Sequence, residues 1–416
     1  MRDRIDGVEY ATRENAKGGA MKIGSSFLHQ LPRPWARDSE YVLLQNLLEQ
    51  AELIDRSGFD YLWATEHHFL EEYSHSSAPE IFLAACSQRT KNVRLGHGIV
   101  QTPPSVNHPA RIAERVATLD LISGGRCEFG TGSGATITEL GGFLVEQPEK
   151  KAMQLEGMRV AVRMLVEEPF TGFDGKYLKV PPRNVIPKPL QKPHPPLWMA
   201  CSRRESILDA ARLGLGALTF SFVSAEEAQQ WAKDYYQVIE NESVPLGYSV
   251  NPNFAVATPF LCDEDEALLE KARRESYAFF MYGLGHYSFF GEHRPGATNI
   301  WNDFTASPNS DKVPEIRGQT CVGTPKLVRQ RMRDFEEAGV DQVIGIGQVG
   351  RTPHELTCSS FRLFAKEVLP EVKERDAAQA RQKAERNARI AEKAMARKPK
   401  EAAVAVDTVI PSAGHH

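Results

Sequence analysis

The residues best able to do chemistry gather in WATEHHFLEEYSHSS, residues 63–77, where an apolar run stops at Glu66, His67 and His68 follow at once, and His75 comes soon after. The whole chain of 416 residues has only 12 histidines, so three in one short stretch form a concentration. An imidazole, with an ordinary pKa of about 6.5, exchanges protons at neutral pH. Adjacent residues on a strand point to opposite faces, so His67 and His68 share a metal ion only where the strand has already broken. No HxH or HExxH pattern occurs, and no metal site is assigned. We take Glu66, His67 and His68 as the catalytic group. The plainer reading of His67 is a hydrogen bond to a loop carbonyl, and His75 and His108 read as ordinary loop histidines.

A second cluster, CSRRES at 201–206, is a strand end running into a helix. Hydroxyls, two guanidiniums and the free amides of a helix start suit a phosphate, through Cys201, Ser202, Arg203 and Arg204. The alternative is a helix cap with arginines facing water. Thr131, Gly132 and Ser133 open the glycine-rich TGSGAT, where backbone can approach a flat or phosphorylated ligand.

Placing these groups together requires a particular scaffold. Strand-like runs at 21–27, 59–65, 93–100, 126–132, 196–202, 215–222, 253–262 and 340–347 alternate with amphipathic stretches, among them 40–57, 109–122, 150–167, 225–240 and 324–338. Eight such alternations predict an α/β fold, a (β/α)8 TIM barrel, and barrel chemistry sits at the carboxyl ends of the strands. No GxGxxG follows the first strand, which disfavours a dinucleotide-binding sheet. Trp63, Phe69, Phe129 and Trp198 read as core. The barrel is expected over 21–370, with insertions near 168–195 and 283–314. Of these the first reads as a small hairpin amid prolines, and the second as a long loop able, with Phe289, Phe290 and Trp301, to shield a site. Residues 1–20 form an extension, and 371–416 a charged tail, a solvated helix or disordered, with no steady apolar stripe.

Composition narrows the classes. With 41% hydrophobic and 25% charged residues, and a net charge of -4, the chain has the balance of a globular protein and no footprint for nucleic acid. No apolar run is long enough for a membrane span, and no secretion signal opens the chain, so a cytoplasmic location is expected. Six scattered cysteines without CxxC spacing read as buried thiols.

Four ordered segments, GFDYLWATEHHF, VRLGHGIVQTPPSVNHPARIAERVATLDLISGGRCEFGTGSG, PLWMACSRRESILDAARLGLG and VGTPKLVRQRMRDFEEAGVDQVI, resemble the bacterial luciferase-like, flavin-dependent monooxygenase family. The likeness runs over 21–369. It implies a barrel that binds FMN at its carboxyl face, reacts the reduced cofactor with dioxygen to oxygenate a small organic substrate, receives reduced flavin from a separate NAD(P)H-dependent reductase, and packs as a homodimer. It assigns the proton-transfer role to His67, sets Gly98, Ile99, Gln101 and Thr102 beside the flavin ring at a strand end where relatives sometimes carry a nonprolyl cis peptide, and adds Ser202 and its neighbours to the phosphate site. Many relatives carry arginine where this chain has Ser133, so Arg203 or Arg204 must replace that contact, or FMN binds loosely. Relatives that use a deazaflavin for hydride transfer, and relatives that bind flavin without catalysis, are the alternatives.

Overall fold

Eight apolar runs become parallel strands because both faces of a barrel strand are buried, one against the interior and one against the surrounding helices. In the computed structural model, which describes residues 21–220, 222–306, 320–399 and 409–410, they are β1 (Lys22–Phe27), β2 (Tyr61–Ala64), β3 (Arg94–Gln101), β4 (Cys127–Gly132), β5 (Leu197–Cys201), β6 (Gly216–Thr219), β7 (Phe254–Cys262) and β8 (Gln342–Ile346). Each pairs with the next, and β8 closes onto β1 with Gly345 beside Ser25. The expected TIM barrel is therefore present. A short strand, Cys321–Gly323, extends from β7, and the insertion after residue 168 holds the expected antiparallel hairpin, Phe173–Asp174 with Lys179–Val180.

The helices follow in order: α1 (Ser39–Ser57), α2 (Pro79–Arg89), α3 (Pro109–Ile122), α4 (Ile137–Gly142), α5 (Lys150–Val166), α6 (Arg204–Arg212), α7 (Ala225–Asn241), α8 (Glu266–Ala272), α9 (Ala278–Gly285), α10 (Ile300–Ala306), α11 (Pro325–Glu337), α12 (His354–Glu367) and α13 (Leu369–Arg397). None of them is long and apolar enough to cross a membrane. All six cysteines are buried thiols.

Inside the barrel, Trp63 and Trp198 meet edge to face at 5.4 Å and fill the floor. Each indole nitrogen is satisfied, Trp63 by Gln342 Oε1 at 2.8 Å and Trp198 by Glu128 Oε2 at 2.6 Å. Space for the indoles comes from glycine: a Cβ on Gly96 would lie 2.2 Å from Trp63 Cε3. Gly96→Ala should therefore cost about 1–3 kcal/mol by overpacking, read as a lower urea midpoint. An unchanged midpoint would mean that the ring moves aside freely.

Two expectations need correction. Residues 283–314 are not an open loop: α9 runs into a π-helical turn, His286–Phe290, and α10 follows. Burial of Phe279, Phe280, Met281, Tyr282 and Tyr287 outweighs the poor helix propensity of Gly283 and Gly285. Residues 307–314, like the extension 1–20, lie outside the described residues. The tail is helical through Arg397 and is not a solvated helix, because Leu369, Val372, Asp376, Lys383, Ile390 and Ala394 are buried. Its charges pair with groups at the amino-terminal ends of the strands: Asp376 with Lys22 at 2.6 Å, Lys373 with Asp60 at 2.6 Å and Lys383 with Asp341 at 2.5 Å. α13 thus braces the rim opposite the carboxyl ends.

Candidate active site

Past β2 the chain is held by its own serines. Ser76 Oγ donates to Thr65 O at 2.6 Å, Ser74 Oγ to Leu28 O at 2.6 Å, and the His67 N–H to Ser76 O at 2.9 Å. Phe69, expected in the core, is 53% exposed and has a positive φ of 63°. The strand has ended there, so the alternation that would have buried this ring no longer applies.

The two histidines face different carboxylates. His67 Nδ1 lies 3.0 Å from Glu139 Oε1, whereas His68 Nε2 lies 2.9 Å from Glu66 Oε1. Glu139 was not singled out from the sequence. Its signal was the T-x-x-E spacing from Thr136, a capping box that starts α4 within the glycine-rich segment. The same carboxylate accepts from Gln101 Nε2 at 3.1 Å and Thr136 Oγ1 at 3.0 Å. Burial pushes the Glu139 carboxyl up, but the charge and hydrogen bond of His67, with bonds from the His68 N–H and Thr136, hold it below its ordinary value.

An ionised Glu139 places the His67 hydrogen on Nδ1 and leaves Nε2 available. Nε2 makes no hydrogen bond among the described residues, and the side chain keeps 19% of its surface open. Its ring meets Tyr73 edge-on at 5.5 Å, and Tyr73 stacks on Phe280 at 6.0 Å. The aromatic wall is thus Tyr73, Phe280 and Tyr287. Of the aromatics expected in the shield, Phe289 is 81% exposed, and Trp301 packs on Phe279 at 4.9 Å.

Glu66 is buried, with its oxygens taken up by neighbouring protein groups. Its oxygens accept from Asn107 Nδ2 at 2.8 Å and the Gln101 N–H at 3.1 Å, besides meeting His68. Glu66, His68, Gln101 and Asn107 therefore support the His67–Glu139 pair, and Asn107 is a further residue the sequence did not mark.

At the end of β3 the Gly98–Ile99 peptide is cis, and the register with β4 is irregular between His97 and Val100. Ile99 lies against Gly132, where a Cβ would come within 2.7 Å of its side chain. Gly98, Ile99 and Gly132 thus face the barrel interior. The side chains of Thr102, Thr131 and Cys201 do not. Thr102 Oγ1 donates to Gln154 O at 3.0 Å, Thr131 Oγ1 to Trp198 O at 2.9 Å, and burial pushes the Cys201 thiol up to about 12. Strand alternation directs Thr131 and Cys201 toward the outer helices, and Thr102, just past β3, bonds to α5, so only the backbone of these three can line the site.

The start of α6 is a cationic corner. Ser202 and Arg203 are exposed, and Arg203 has no carboxylate partner among the described residues. Arg204 is committed elsewhere, 2.6 Å from Asp234 of α7. The second cation is Lys150, the first residue of α5, which the sequence reading missed. Burial lowers its ammonium pKa, and the nearby charge of Arg203 lowers it further. Its Nζ points to Gly134 O at 3.5 Å, next to Ser133 in the β4 turn. Lys150, which feels the charge of Arg203, and Arg203 itself, with exposed Ser202 and the start of α6, are the groups here that could hold an anion.

The family model described as luciferase-like monooxygenase matches residues 21–342. The oxygenase component of a flavin-dependent trigonelline monooxygenase from Acinetobacter baylyi is 25% identical over 76% of this chain and 87% of its own. A 5,10-methylenetetrahydromethanopterin reductase from Archaeoglobus fulgidus is 27% identical over 85% of this chain and 100% of its own. Among solved structures, monooxygenase RslO1 from Streptomyces bottropensis superposes with a TM-score of 0.65 at 27% identity, covering 84% of this chain and 99% of that one.

Proposed function

The chain belongs to the luciferase-like monooxygenase family, and on that premise we propose that it is an oxidoreductase that uses reduced FMN and dioxygen to oxygenate a small organic substrate. The observation that carries this reading is the His67 imidazole held at the carboxyl rim by buried, ionised Glu139 with Nε2 left available. The residues present fit the cofactor. Lys150, Arg203, Ser202 and the first amides of α6 would hold its phosphate, and the small interior positions Gly98 and Gly132, with Ile99, would accept its flat ring system. When bound, reduced FMN supplies the electrons and the reaction with dioxygen.

The chain's own residues do the rest. His67 takes or gives a proton at Nε2, while Glu139 fixes the ring and stabilises its charged form. Glu66, His68, Gln101 and Asn107 hold that pair in register. Tyr73, Phe280 and Tyr287 exclude water on the side of His67. We assign the supply of reduced flavin to a separate NAD(P)H-dependent reductase, as the oxygenase component among the relatives suggests, and place the enzyme in the cytoplasm as a homodimer.

The test is oxygen uptake by purified protein given reduced FMN, with and without a panel of small organic substrates. Uptake that depends on protein and substrate is expected; none beyond that of free reduced flavin would overturn the reading. The Archaeoglobus reductase, aligned over its full length, favours a second reading, hydride transfer by a deazaflavin. Tight deazaflavin binding with turnover indifferent to oxygen would replace the first by the second. Flavin bound without any turnover would point to a noncatalytic binder.

The phosphate site has its own test. Lys150→Ala with Arg203→Ala removes two charge-assisted contacts, and should weaken FMN by about 10–100-fold while leaving riboflavin nearly unchanged. Fluorescence titration reads both ligands, and equal weakening would remove the phosphate role.

A further inference from the structure

Glu71 and Glu72, on the loop that follows the histidines, tie that loop to the segment between α9 and α10. The Glu72 carboxylate is fully buried and accepts three backbone N–H groups, from Ile300 at 2.6 Å, Trp301 at 3.2 Å and Arg33 at 2.8 Å. It thus caps the first turn of α10 from a different element and joins the loops after β1 and β2 to the insertion after β7. Glu71 adds a second tie. It accepts from the Gly296 N–H at 2.7 Å and Arg33 NH2 at 2.6 Å, and lies 3.2 Å from His293 Nε2.

The next residue along, Tyr73, touches both sides of the site. It meets the His67 ring, stacks on Phe280 of α9 and lies 6.4 Å from Tyr287. Three consecutive residues therefore link the His67 ring to α9, the π-helical turn after it and the start of α10. Burial raises the Glu72 carboxyl even though three N–H donors and Arg33 act the other way. A carboxylate buried at such cost persists where the contact it makes is needed.

We propose that Glu72 is a positioning residue for the reaction: by pinning the first turn of α10 it keeps residues 286–301 closed over His67 and keeps bulk water from the reacting flavin. This rests on the monooxygenase reading above. Water entering such a site diverts reduced flavin to free peroxide instead of product.

The experiment compares wild type with Glu72→Ala and Glu72→Gln in two measurements. Hydrogen exchange of amides in residues 291–301 needs no turnover, and in Glu72→Ala it should be about tenfold faster, with Glu72→Gln between, because its amide oxygen still accepts. Peroxide released per reduced FMN oxidised, with substrate present, should rise severalfold in the same order, while FMN affinity stays as in wild type. Should Glu72→Ala fail to fold, Glu72→Gln carries both comparisons. Unchanged exchange overturns the latch, and faster exchange with an unchanged peroxide fraction overturns its role in the reaction. A wild-type protein that takes up no oxygen sinks the monooxygenase reading as well, and shows this before any variant is compared.

Discussion

Replacing His67 by alanine is expected to lower turnover by about 10²–10⁴-fold, the usual contribution of a positioned proton-transfer group, and to leave FMN affinity within a few-fold of wild type. The asymmetry follows from the geometry. His67 is anchored through Nδ1 to Glu139 at 3.0 Å and offers only Nε2 to the site, while the cations that would hold the cofactor phosphate, Lys150 and Arg203, are carried by other elements, at the starts of α5 and α6. Stopped-flow oxidation of reduced FMN with substrate present, beside a fluorescence titration for binding, separates the two effects. Glu139→Gln should give a smaller loss of the same kind, since the ring keeps a hydrogen-bond partner but loses the charge that stabilises its protonated form. Full turnover in His67→Ala would remove the histidine from the mechanism.

The largest expected effect on stability lies at the opposite rim. Asp341→Ala should cost about 3–5 kcal/mol, seen as a large fall in the urea midpoint with the slope retained. Asp341 is only 4% exposed, and its carboxylate lies 2.5 Å from Lys383 Nζ and 3.3 Å from Arg386 NH2. It also accepts the Phe254 N–H at 2.6 Å and the hydroxyl of Tyr236. Burial lowers the Lys383 ammonium pKa and Asp341 opposes that shift, so loss of the acid strips the buried ammonium of the carboxylate 2.5 Å away. Adding Lys383→Met should then recover part of the loss, because an apolar group is cheaper to bury there than an ammonium. A double variant no more stable than Asp341→Ala alone would assign the loss to the Phe254 amide and the Tyr236 hydroxyl instead.

Legibility differed from element to element for physical reasons. The strand expected at 21–27 forms Lys22–Phe27, and the one at 253–262 forms Phe254–Cys262, because an apolar run bounded by turn residues has few other places to go. The last helix was harder to read. Its buried positions 369, 376, 383 and 390 recur every seven residues, but Asp376 and Lys383 occupy two of them, so a search for apolar periodicity passes over the stripe. The segment 283–290 looked like a loop because glycine and aromatic residues are poor helix formers, and burial of Tyr287 beside Tyr73, continuing the buried turn Phe279 to Tyr282, explains its helical turns.

The chain by itself determined the eightfold alternation, the family and the histidine pair at the end of β2, since each is written in contiguous residues whose spacing carries the signal. Tertiary structure alone decided that His67 answers to Glu139, 72 residues away, that Arg204 turns to Asp234, and that Glu72 holds α10. Those are meetings of side chains across loops, and a linear pattern records which groups exist but not which of them closure of the barrel brings within hydrogen-bonding distance.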